Sequence, residues 1–220
     1  TKQIAKALKK KKFFTIIYKS TIPPLTVENN CIPIFEKILG KKAVESLNFV
    51  FNPEFLREGN AIYDFENPKR IVVGIKNNRS KTILNNVYKK YLKKSKMIFV
   101  DIKTAEFIKY FSNSFFSLLI SYSNEISNLC QKIGIDYINV LDAFKLDNRL
   151  NIKNKNPEFI NYLVPGIGYG GSCFPKDVKT FIKFSEKNKF KLSILENVDI
   201  VNKLQPKIIS EIILEKLKVN

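Results

Sequence analysis

Up to residue 101 short apolar runs alternate with segments of helical periodicity, and after it only helical periodicity remains. The apolar runs lie at residues 13–18, 47–51, 70–74 and 97–100. Runs of this length are typical of buried strands, and helical spacing recurs between them at 26–39 and 79–94. Strands that alternate with helices favour a parallel α/β sheet. Further helices are predicted at 104–133, 137–145, 176–188 and 193–217.

This change of pattern predicts two domains, α/β over residues 1–101 and all-α over residues 102–220. A length of 220 residues suits one large domain or two small ones. Apolar residues make up 45% of the chain and charged residues 26%, which is ordinary for a globular protein. The composition therefore argues against extensive disorder and for a substantial core.

The chain is strongly basic, with 38 Lys and Arg against 20 Asp and Glu and a formal charge of +18. The basic residues include only four Arg, at positions 57, 70, 79 and 149. Sites that recognise nucleic-acid sequence depend on clustered Arg, whereas dispersed Lys is typical of solvated surfaces. We therefore expect no specific nucleic-acid partner. A non-catalytic basic module that binds polyanions stays as the alternative class of function.

The chain contains no His, which excludes His-based catalytic triads and His-ligated metal sites. Its three Cys, at 31, 130 and 173, form no Cys-x-x-Cys pair, so we predict neither a zinc site nor a disulfide framework. Unpaired cysteines fit a reduced cytosol. No apolar run approaches the ~18 residues of a membrane span, so we expect a cytoplasmic protein without a membrane anchor.

A glycine-rich segment at residues 162–177 is the most informative stretch. Gly166, Gly168 and Gly171 fit the spacing G-x-G-x-x-G, but the dinucleotide fingerprint needs that spacing directly after a strand and at the head of a helix. Pro165 interrupts the entry, so we reject that interpretation. The segment is instead predicted to be a loop whose backbone N–H groups approach a ligand phosphate.

Cys173 follows these glycines and precedes a predicted helix, so it faces the positive end of that helix. Lys176 adds a cation nearby, and both effects favour the thiolate form. Asp177 falls in the first helical turn, where the helix dipole stabilises a carboxylate. Cys31 and Cys130 lie among apolar neighbours and are predicted to be buried and unreactive. Cys173 is therefore the predicted nucleophile.

Polar residues on the long helix form a second candidate group. Lys109 and Asn113 are four residues apart, so they share a face, with Glu106 near the same side. That face differs from the apolar stripe, which includes Ile108, Phe111, Phe115, Leu118, Tyr122, Ile126, Leu129 and Ile133. Two interpretations stay open, an exposed polar face or a cation and an amide aimed at an oxyanion.

The segment 52–59 forms a third candidate group, since it places Glu54 and Glu58 after a predicted strand. Ligands bind at the carboxyl ends of the strands in open parallel sheets. The alternative is an ordinary loop salt bridge to Arg57.

Taken together these segments resemble the UDP-glucose/GDP-mannose dehydrogenase family over about residues 15–205. The matching stretches are residues 19–23, NPEFLREGNAIYDFENPKRIVVG at 52–74, Ala105-Glu106 with Lys109 and Asn113, residues 124–126, and PGIGYGGSCFPKD at 165–177. Ile167, Gly168, Tyr169 and Phe174 resemble the UDP-glucose branch more closely than the GDP-mannose branch, which is the alternative.

The resemblance implies an NAD-dependent oxidation of the C6 alcohol of UDP-glucose to an aldehyde and then to an acid. Cys173 corresponds to the nucleophile, which forms a thiohemiacetal and then a thioester. Lys109 and Asn113 correspond to residues that bind substrate and stabilise the oxyanion, and Asp177 and Thr21 to residues that order the water. Glu58 corresponds to the base for thioester hydrolysis.

The resemblance also implies the binding residues. Substrate contacts correspond to Glu54, Phe55, Leu56, Arg57, Glu58, Tyr162, Leu163, Val164, Pro165, Gly166 and Gly170. Cofactor contacts correspond to Thr21, Glu58 and Lys176. Arg149 resembles a residue that reaches the neighbouring subunit's substrate, which implies a homodimer through the helical domain, although Leu150-Asn151 replaces the Ile-Gly that usually follows it.

The implied fold is the later half of a Rossmann-like NAD domain followed by the central helical dimerisation domain. The chain is therefore expected to be an internal fragment that lacks the family's opening glycine-rich loop and its C-terminal UDP-binding domain. A fragment of this kind is expected to bind NAD weakly and to turn over little by itself.

Overall fold

The computed structural model of the chain describes residues 1–8, 13–93, 95–150 and 157–218. The chain divides into two compact units, Thr1–Lys109 and Tyr110–Asn220. This division lies within one helix that begins at Ile102, whereas the boundary predicted from the sequence lies just before that helix. The sequence-based boundary stays a prediction.

The first unit contains a four-stranded sheet in the order β1-β2-β3-β4. Its strands are β1, Phe14–Tyr18; β2, Leu47–Phe51; β3, Arg70–Ile75; and β4, Lys96–Val100. Each predicted strand is present, and its ends differ from the prediction by at most one residue. The pairs β1–β2 and β3–β4 are parallel as predicted, but β2 and β3 are antiparallel and pair only at Val50–Ile75 and Phe51–Gly74.

The connections between the strands explain this mixed sheet. A short helix, α1, Lys2–Ala7, precedes β1. A π-helical turn at Val27–Cys31 and two helices, α2, Ile32–Leu39, and α3, Lys41–Val44, link β1 to β2. Helix α5, Asn78–Val87, links β3 to β4. These connections bury Phe35, Val44 and Leu84, as crossover helices must. Between β2 and β3 lies only α4, Ala61–Glu66, which buries no side chain. Without a crossover helix, β3 returns antiparallel beside β2.

Side chains alternate between the two faces of the sheet. Phe49, Phe51 and Val72 belong to one buried cluster, which α1, α2 and the start of the long helix complete with Ala5, Phe35 and Ile102. Val50, Ile71 and Val73 belong to a second cluster with Leu84 of α5. Complete burial of an aliphatic or aromatic side chain of this size stabilises a fold by about 1.5–3 kcal/mol, so these clusters form the core of the unit.

The strand directions place the predicted binding segments. Because β1 and β2 are parallel, the segments after Tyr18 and Phe51 leave the sheet at the same edge. The backbone N–H of Asn52 donates to the Tyr18 carbonyl at 2.8 Å, and Lys19 Nζ donates to Asn52 Oδ1 at 2.8 Å. The segments that carry Thr21 and Glu54–Glu58 therefore start side by side, and the second of them follows a strand, as the sequence predicted.

The second unit is helical. It comprises most of α6, Ile102–Lys132, together with α7, Tyr137–Lys145; α8, Phe174–Lys187; and α9, Ser193–Lys218. Two 3₁₀ turns, Asn148–Leu150 and Glu158–Leu163, lie between α7 and α8. The core contains one cluster of Tyr110, Phe181 and Leu195 and another of Tyr169, Val178 and Val198. The four predicted helices are thus present, and Pro206 lies inside α9.

The exposure of α6 differs from that of an ordinary amphipathic helix. Several residues of its apolar stripe are exposed, with Phe111 61%, Tyr122 56% and Leu129 53% accessible, and Ile133, directly after the helix, is 59% accessible. The opposite face is polar and buried, and it comprises Glu106, Lys109, Asn113, Ser117, Ser121 and Asn124. Of the two interpretations that the sequence left open, an exposed polar face is therefore wrong for Lys109 and Asn113, because both side chains are buried.

No helix in the described ranges is long and apolar enough to cross a membrane. Within the same ranges no three His, Cys, Asp or Glu side chains are grouped so that they hold a metal ion.

Candidate functional site

Lys109 joins α6 to the segment that follows β2 in the first unit. Its side chain is buried, and Nζ lies 3.1 Å from Glu54 Oε1 and 2.8 Å from the Glu54 carbonyl oxygen. The same ammonium group lies 5.4 Å from the centre of the Phe55 ring, and the Arg70 guanidinium lies 4.4 Å from that ring. The structure thus groups Lys109, Glu54 and Phe55, three residues that the sequence assigned to substrate.

Glu106 lies one turn before Lys109 on α6 and binds the segment that follows β1. It is completely buried, and its two carboxylate oxygens accept hydrogen bonds from the backbone N–H groups of Leu25 at 2.6 Å and Val27 at 2.9 Å. These N–H groups lie at the start of the helical stretch that begins at Val27, so Glu106 caps that stretch from another element. Burial raises the pKa of Glu106 to about 7, against the opposing effect of these N–H bonds.

The remaining predicted residues of the first unit lie on the two loops at that edge. Thr21 is half-buried in the loop after β1, and Glu58 is exposed in the loop after β2. The Leu56 N–H donates to Glu54 Oε2 at 2.8 Å, which makes a tight turn. Arg57 forms a bidentate pair with Asp64, and this pairing lowers the pKa of Asp64.

Cys173 lies at the start of α8 in the second unit. Its side chain is exposed, whereas Cys31 and Cys130 are buried, as the sequence predicted, and all three are free. Cys173 occupies the N-cap position, Pro175 lies in the first turn, and Ser172 Oγ is 3.7 Å from the Cys173 sulfur. The thiol is therefore accessible to a ligand and close to the positive end of the helix.

Asp177 follows Cys173 by one turn of α8 and is completely buried, and an amide and a cation bind its carboxylate. Asn113 Nδ2 donates to its Oδ2 at 2.6 Å, and Lys176 Nζ donates to its Oδ1 at 2.7 Å. The Asp177 N–H donates to the Cys173 carbonyl at 2.9 Å. The structure thus groups Asn113, Cys173, Lys176 and Asp177 within the second unit.

The glycine-rich loop, residues 164–172, follows a 3₁₀ turn rather than a strand, which agrees with our rejection of a dinucleotide loop. Tyr162 stacks on Phe116 with ring centres 4.4 Å apart, and Leu163 is buried. Val164, Gly166 and Gly170 are exposed and Pro165 is half-buried. The predicted substrate contacts in this region therefore present backbone and small side chains to the surface.

Arg149 lies on a 3₁₀ turn and is 86% exposed, with its guanidinium paired to Asp147 in the same chain. This side-chain bond lowers the pKa of Asp147 to about 2. The predicted contact of Arg149 with a neighbouring subunit stays a prediction. Asn151, where the sequence departs from the family, lies outside the described residues.

Four residues contribute to these groups although the sequence assigned them no contact to substrate or cofactor and no catalytic role, namely Glu106, Asn124, Asn202 and Gln205. Glu106 precedes Lys109 by three residues and so shares its face. Asn202 and Gln205 lie on α9 and bind the backbone of the glycine-rich loop. Their signal in the sequence is an Asn and a Gln three residues apart in a helix, which is too common to indicate a site.

Residues 1–92 match the NAD binding domain of the UDP-glucose/GDP-mannose dehydrogenase family, and residues 103–204 match its central domain. A UDP-glucose 6-dehydrogenase of Rickettsia bellii (strain RML369-C) is 41% identical over 192 residues, which are 87% of this chain and 41% of that protein. A GDP-mannose 6-dehydrogenase of Pseudomonas savastanoi pv. phaseolicola is 38% identical over 165 residues, 75% of this chain and 36% of that protein.

Among solved structures, a UDP-glucose dehydrogenase from the hyperthermophilic archaeon Pyrobaculum islandicum matches with a TM-score of 0.86 and 33% identity. That match covers 99% of this chain and 48% of the other. The chain thus spans less than half the length of the relatives that it matches. Since the two domain matches are consecutive and together cover most of the residues, the chain belongs to the UDP-glucose/GDP-mannose dehydrogenase family.

Proposed function

We propose that this chain carries the covalent chemistry of an NAD-dependent oxidation of UDP-glucose to UDP-glucuronate. The observation that carries the proposal is the exposed Cys173 at the N-terminus of α8, above the buried Asp177 that Asn113 and Lys176 hold. The 41% identity to a UDP-glucose 6-dehydrogenase supports the choice of substrate. The three free cysteines agree with a cytosolic location for this chemistry.

The proposed reaction consumes one water and reduces two NAD⁺, with release of three protons for each alcohol that becomes a carboxylate. NAD, when bound, supplies the acceptor for a hydride from C6 in each oxidation. After the first oxidation the Cys173 thiolate adds to the C6 aldehyde and forms a thiohemiacetal. Loss of the second hydride from C6 leaves a thioester, and water then breaks the carbon–sulfur bond and frees the thiol.

In the second unit, we assign Asp177 to ordering the water that breaks the thioester. The amide of Asn113 and the ammonium group of Lys176 each donate to the buried Asp177 carboxylate and so fix its orientation. A water bound to this carboxylate would therefore be held in a fixed direction. Asn113 holds one oxygen of Asp177, and we assign its remaining role to the oxyanion that develops at C6. Lys176 is the proposed cofactor-side cation.

In the first unit, the residues fit a bound dinucleotide. The loops after β1 and β2 open at one edge of a parallel strand pair, which is where ligands bind in α/β sheets. Thr21 and Glu58 lie on those loops and are the proposed contacts to the nicotinamide side. Glu58 is also the proposed base for thioester hydrolysis. Lys109 supplies a buried cation for the oxyanion, and Glu54 holds it in place.

A single-turnover experiment tests the proposal. The chain is mixed with the C6 aldehyde of UDP-glucose and a saturating excess of NAD⁺, which offsets the weak binding expected of a fragment, and is quenched with acid. Intact-mass measurement detects the thioester, and the Cys173→Ala variant locates it. We expect an adduct on the unsubstituted chain and on Cys31→Ala, and none on Cys173→Ala. An adduct that survives Cys173→Ala, or no adduct at all, contradicts the proposal. A larger yield with the GDP-mannose aldehyde assigns the chain to the GDP-mannose branch instead.

We further propose that a second copy of the chain covers the exposed apolar stripe of α6. Phe111, Phe115, Tyr122 and Leu129 lie within a narrow sector of this helix and are 38% to 61% accessible, and Ile133, directly after the helix, is 59% accessible. A contiguous apolar surface of this kind on a soluble chain marks an interaction face. The homodimer that the sequence implied fits this face.

A further inference from the structure

The glycine-rich loop has no regular secondary structure, and side chains from two helices bind its backbone. Asn124 Oδ1 of α6 accepts from the Gly166 N–H at 2.7 Å, and Gln205 Nε2 of α9 donates to the Gly166 carbonyl at 3.0 Å. Asn202 of α9 binds both the N–H and the carbonyl of Tyr169, at 2.7 and 2.9 Å. We call Asn124, Asn202 and Gln205 the amide clamp.

The chemistry of the clamp is specific to carboxamides. A carboxamide offers an acceptor oxygen and a donor N–H₂ side by side, so the Asn202 side chain alone satisfies both backbone groups of Tyr169. An aspartate at position 202 keeps the acceptor for the Tyr169 N–H but faces the Tyr169 carbonyl with a negative charge. Gln205 is buried and is itself oriented by Asn128, whose Nδ2 donates to Gln205 Oε1 at 2.8 Å.

The loop approaches α9 closely at this point. A Cβ at Gly168 would lie 2.6 Å from Asn202 Oδ1, and the Gly168 φ of +99° belongs to the left-handed region. Pro206 lies four residues after Asn202 and has no N–H, so the Asn202 carbonyl loses its helical donor at the same place. The conformation of Gly168 on the loop and the position of Pro206 on α9 therefore both indicate that the loop packs closely against α9 at Asn202.

We propose that Asn202 and Gln205 are positioning residues that hold the glycine-rich loop in the conformation that binds the sugar nucleotide. The inference rests on the proposed function, because that function assigns Val164, Pro165, Gly166 and Gly170 to the substrate. The two residues act through the backbone of Gly166 and Tyr169 and do not take part in the chemistry. An ordinary structural contact would lower stability alone, whereas a positioning contact changes ligand affinity in a folded chain.

The first measurement is hydrogen exchange at the Tyr169 amide, resolved by NMR in the full chain. We expect exchange about tenfold faster in Asn202→Leu, since both hydrogen bonds are lost, and a smaller increase in Asn202→Asp. The matched control is Asn197→Asp on the exposed side of α9, where the Asn197 side chain donates to the Ser193 carbonyl of its own helix. Exchange in a folded Asn202→Leu variant at the unsubstituted rate overturns the clamp. If Asn202→Leu does not fold, Asn202→Asp decides.

The second measurement is protection of Cys173 from iodoacetamide by UDP-glucose, followed by mass spectrometry with the buried Cys31 and Cys130 as internal references. We expect the half-protecting concentration to rise about tenfold in Asn202→Asp and to stay unchanged in Asn197→Asp. An unchanged concentration in Asn202→Asp overturns the positioning role. If UDP-glucose protects nothing in the unsubstituted chain, the proposed function loses its support, and the exchange rates alone decide the clamp.

Discussion

At the scale of single residues, Gly168 shows how closely the chain is fitted around the glycine-rich loop. It has a φ of +99°, and a methyl group there would meet the Asn202 amide oxygen at 2.6 Å. Gly166, two residues earlier, has open space in the direction of its missing side chain. The two glycines therefore form a natural comparison between a conformational requirement and a tolerated position.

We expect Gly168→Ala to lower the free energy of unfolding by about 1–3 kcal/mol, because the backbone is strained and the Asn202 amide must move. Gly166→Ala is the matched control, and we expect it to change the free energy of unfolding by less than about 0.5 kcal/mol. Urea unfolding measured by circular dichroism checks both values. Equal losses in the two variants would show that the close approach at Gly168 has no energetic consequence.

The sequence predicts some properties of single site residues but does not predict which residues they contact. The burial of Cys31 and Cys130 and the position of Cys173 before a helix follow from their immediate neighbours, and the structure confirms both. The partners of Lys109 and Asn113 do not follow, because they are 55 and 64 residues away in the chain. Partners at such distances depend on how elements pack, which the local pattern of residues does not encode.

At the scale of elements, α6 carries buried polar residues that bind loops of both units. Its length and its periodicity were predicted correctly, since both depend on local spacing. The direction in which each face points was not predictable, because the buried face is polar. Glu106, Lys109 and Asn124 all bind backbone atoms of loops, which replaces the solvation that burial removes.

The buried Glu106 predicts a dependence of stability on pH. Its pKa is about 7 in the folded chain against an ordinary 4.5, so between these values the folded chain holds a proton that the unfolded chain has released. The stabilisation is complete below pH 4.5 and is lost as the pH rises through about 7. We expect the free energy of unfolding to fall by up to about 3 kcal/mol from pH 5 to pH 8. The chain contains no His, so few other groups titrate in this interval.

Glu106→Gln separates this effect from other causes. A carboxamide has one carbonyl acceptor beside a donor group, as has the protonated carboxyl that the folded chain carries at pH 5, so we expect a loss of only about 0.5–1.5 kcal/mol at that pH. The slope between pH 5 and pH 8 should then be flat. Glu125→Gln, an exposed position on the same helix, should keep the unsubstituted slope. Urea unfolding at each pH gives these values, and a slope that persists in Glu106→Gln assigns the pH dependence elsewhere.

At the scale of the whole molecule, the sequence predicted an α/β part followed by a helical part, and the structure confirms this order. The antiparallel contact of β2 with β3 was not predicted, because an apolar run has the same appearance in either direction. What decides the direction is whether the connecting segment packs on the sheet, and α4 buries nothing there.

The proposed homodimer predicts a change of mass in solution. We expect the unsubstituted chain to sediment as a dimer and the double variant Phe111→Ser with Leu129→Ser to dissociate at least about tenfold more readily, because both side chains leave the apolar stripe. Phe190→Ser is the control, since Phe190 is 64% exposed but lies outside α6. Sedimentation velocity over a range of concentrations measures the equilibrium. A monomer for the unsubstituted chain at every concentration contradicts the proposal.

The opposed strand pairs have a practical consequence for work with this protein. Because β3 runs opposite to β2, the turn after Ile75 leads away from the ends of β1 and β2 that continue to Thr21 and Glu54, and Lys76 at that turn is exposed. A fluorophore, a spin label or a surface tether attached at Lys76 therefore extends from the side of the sheet opposite to the rim where the dinucleotide is proposed to bind. Immobilisation through this turn leaves that rim open to solution for direct binding measurements.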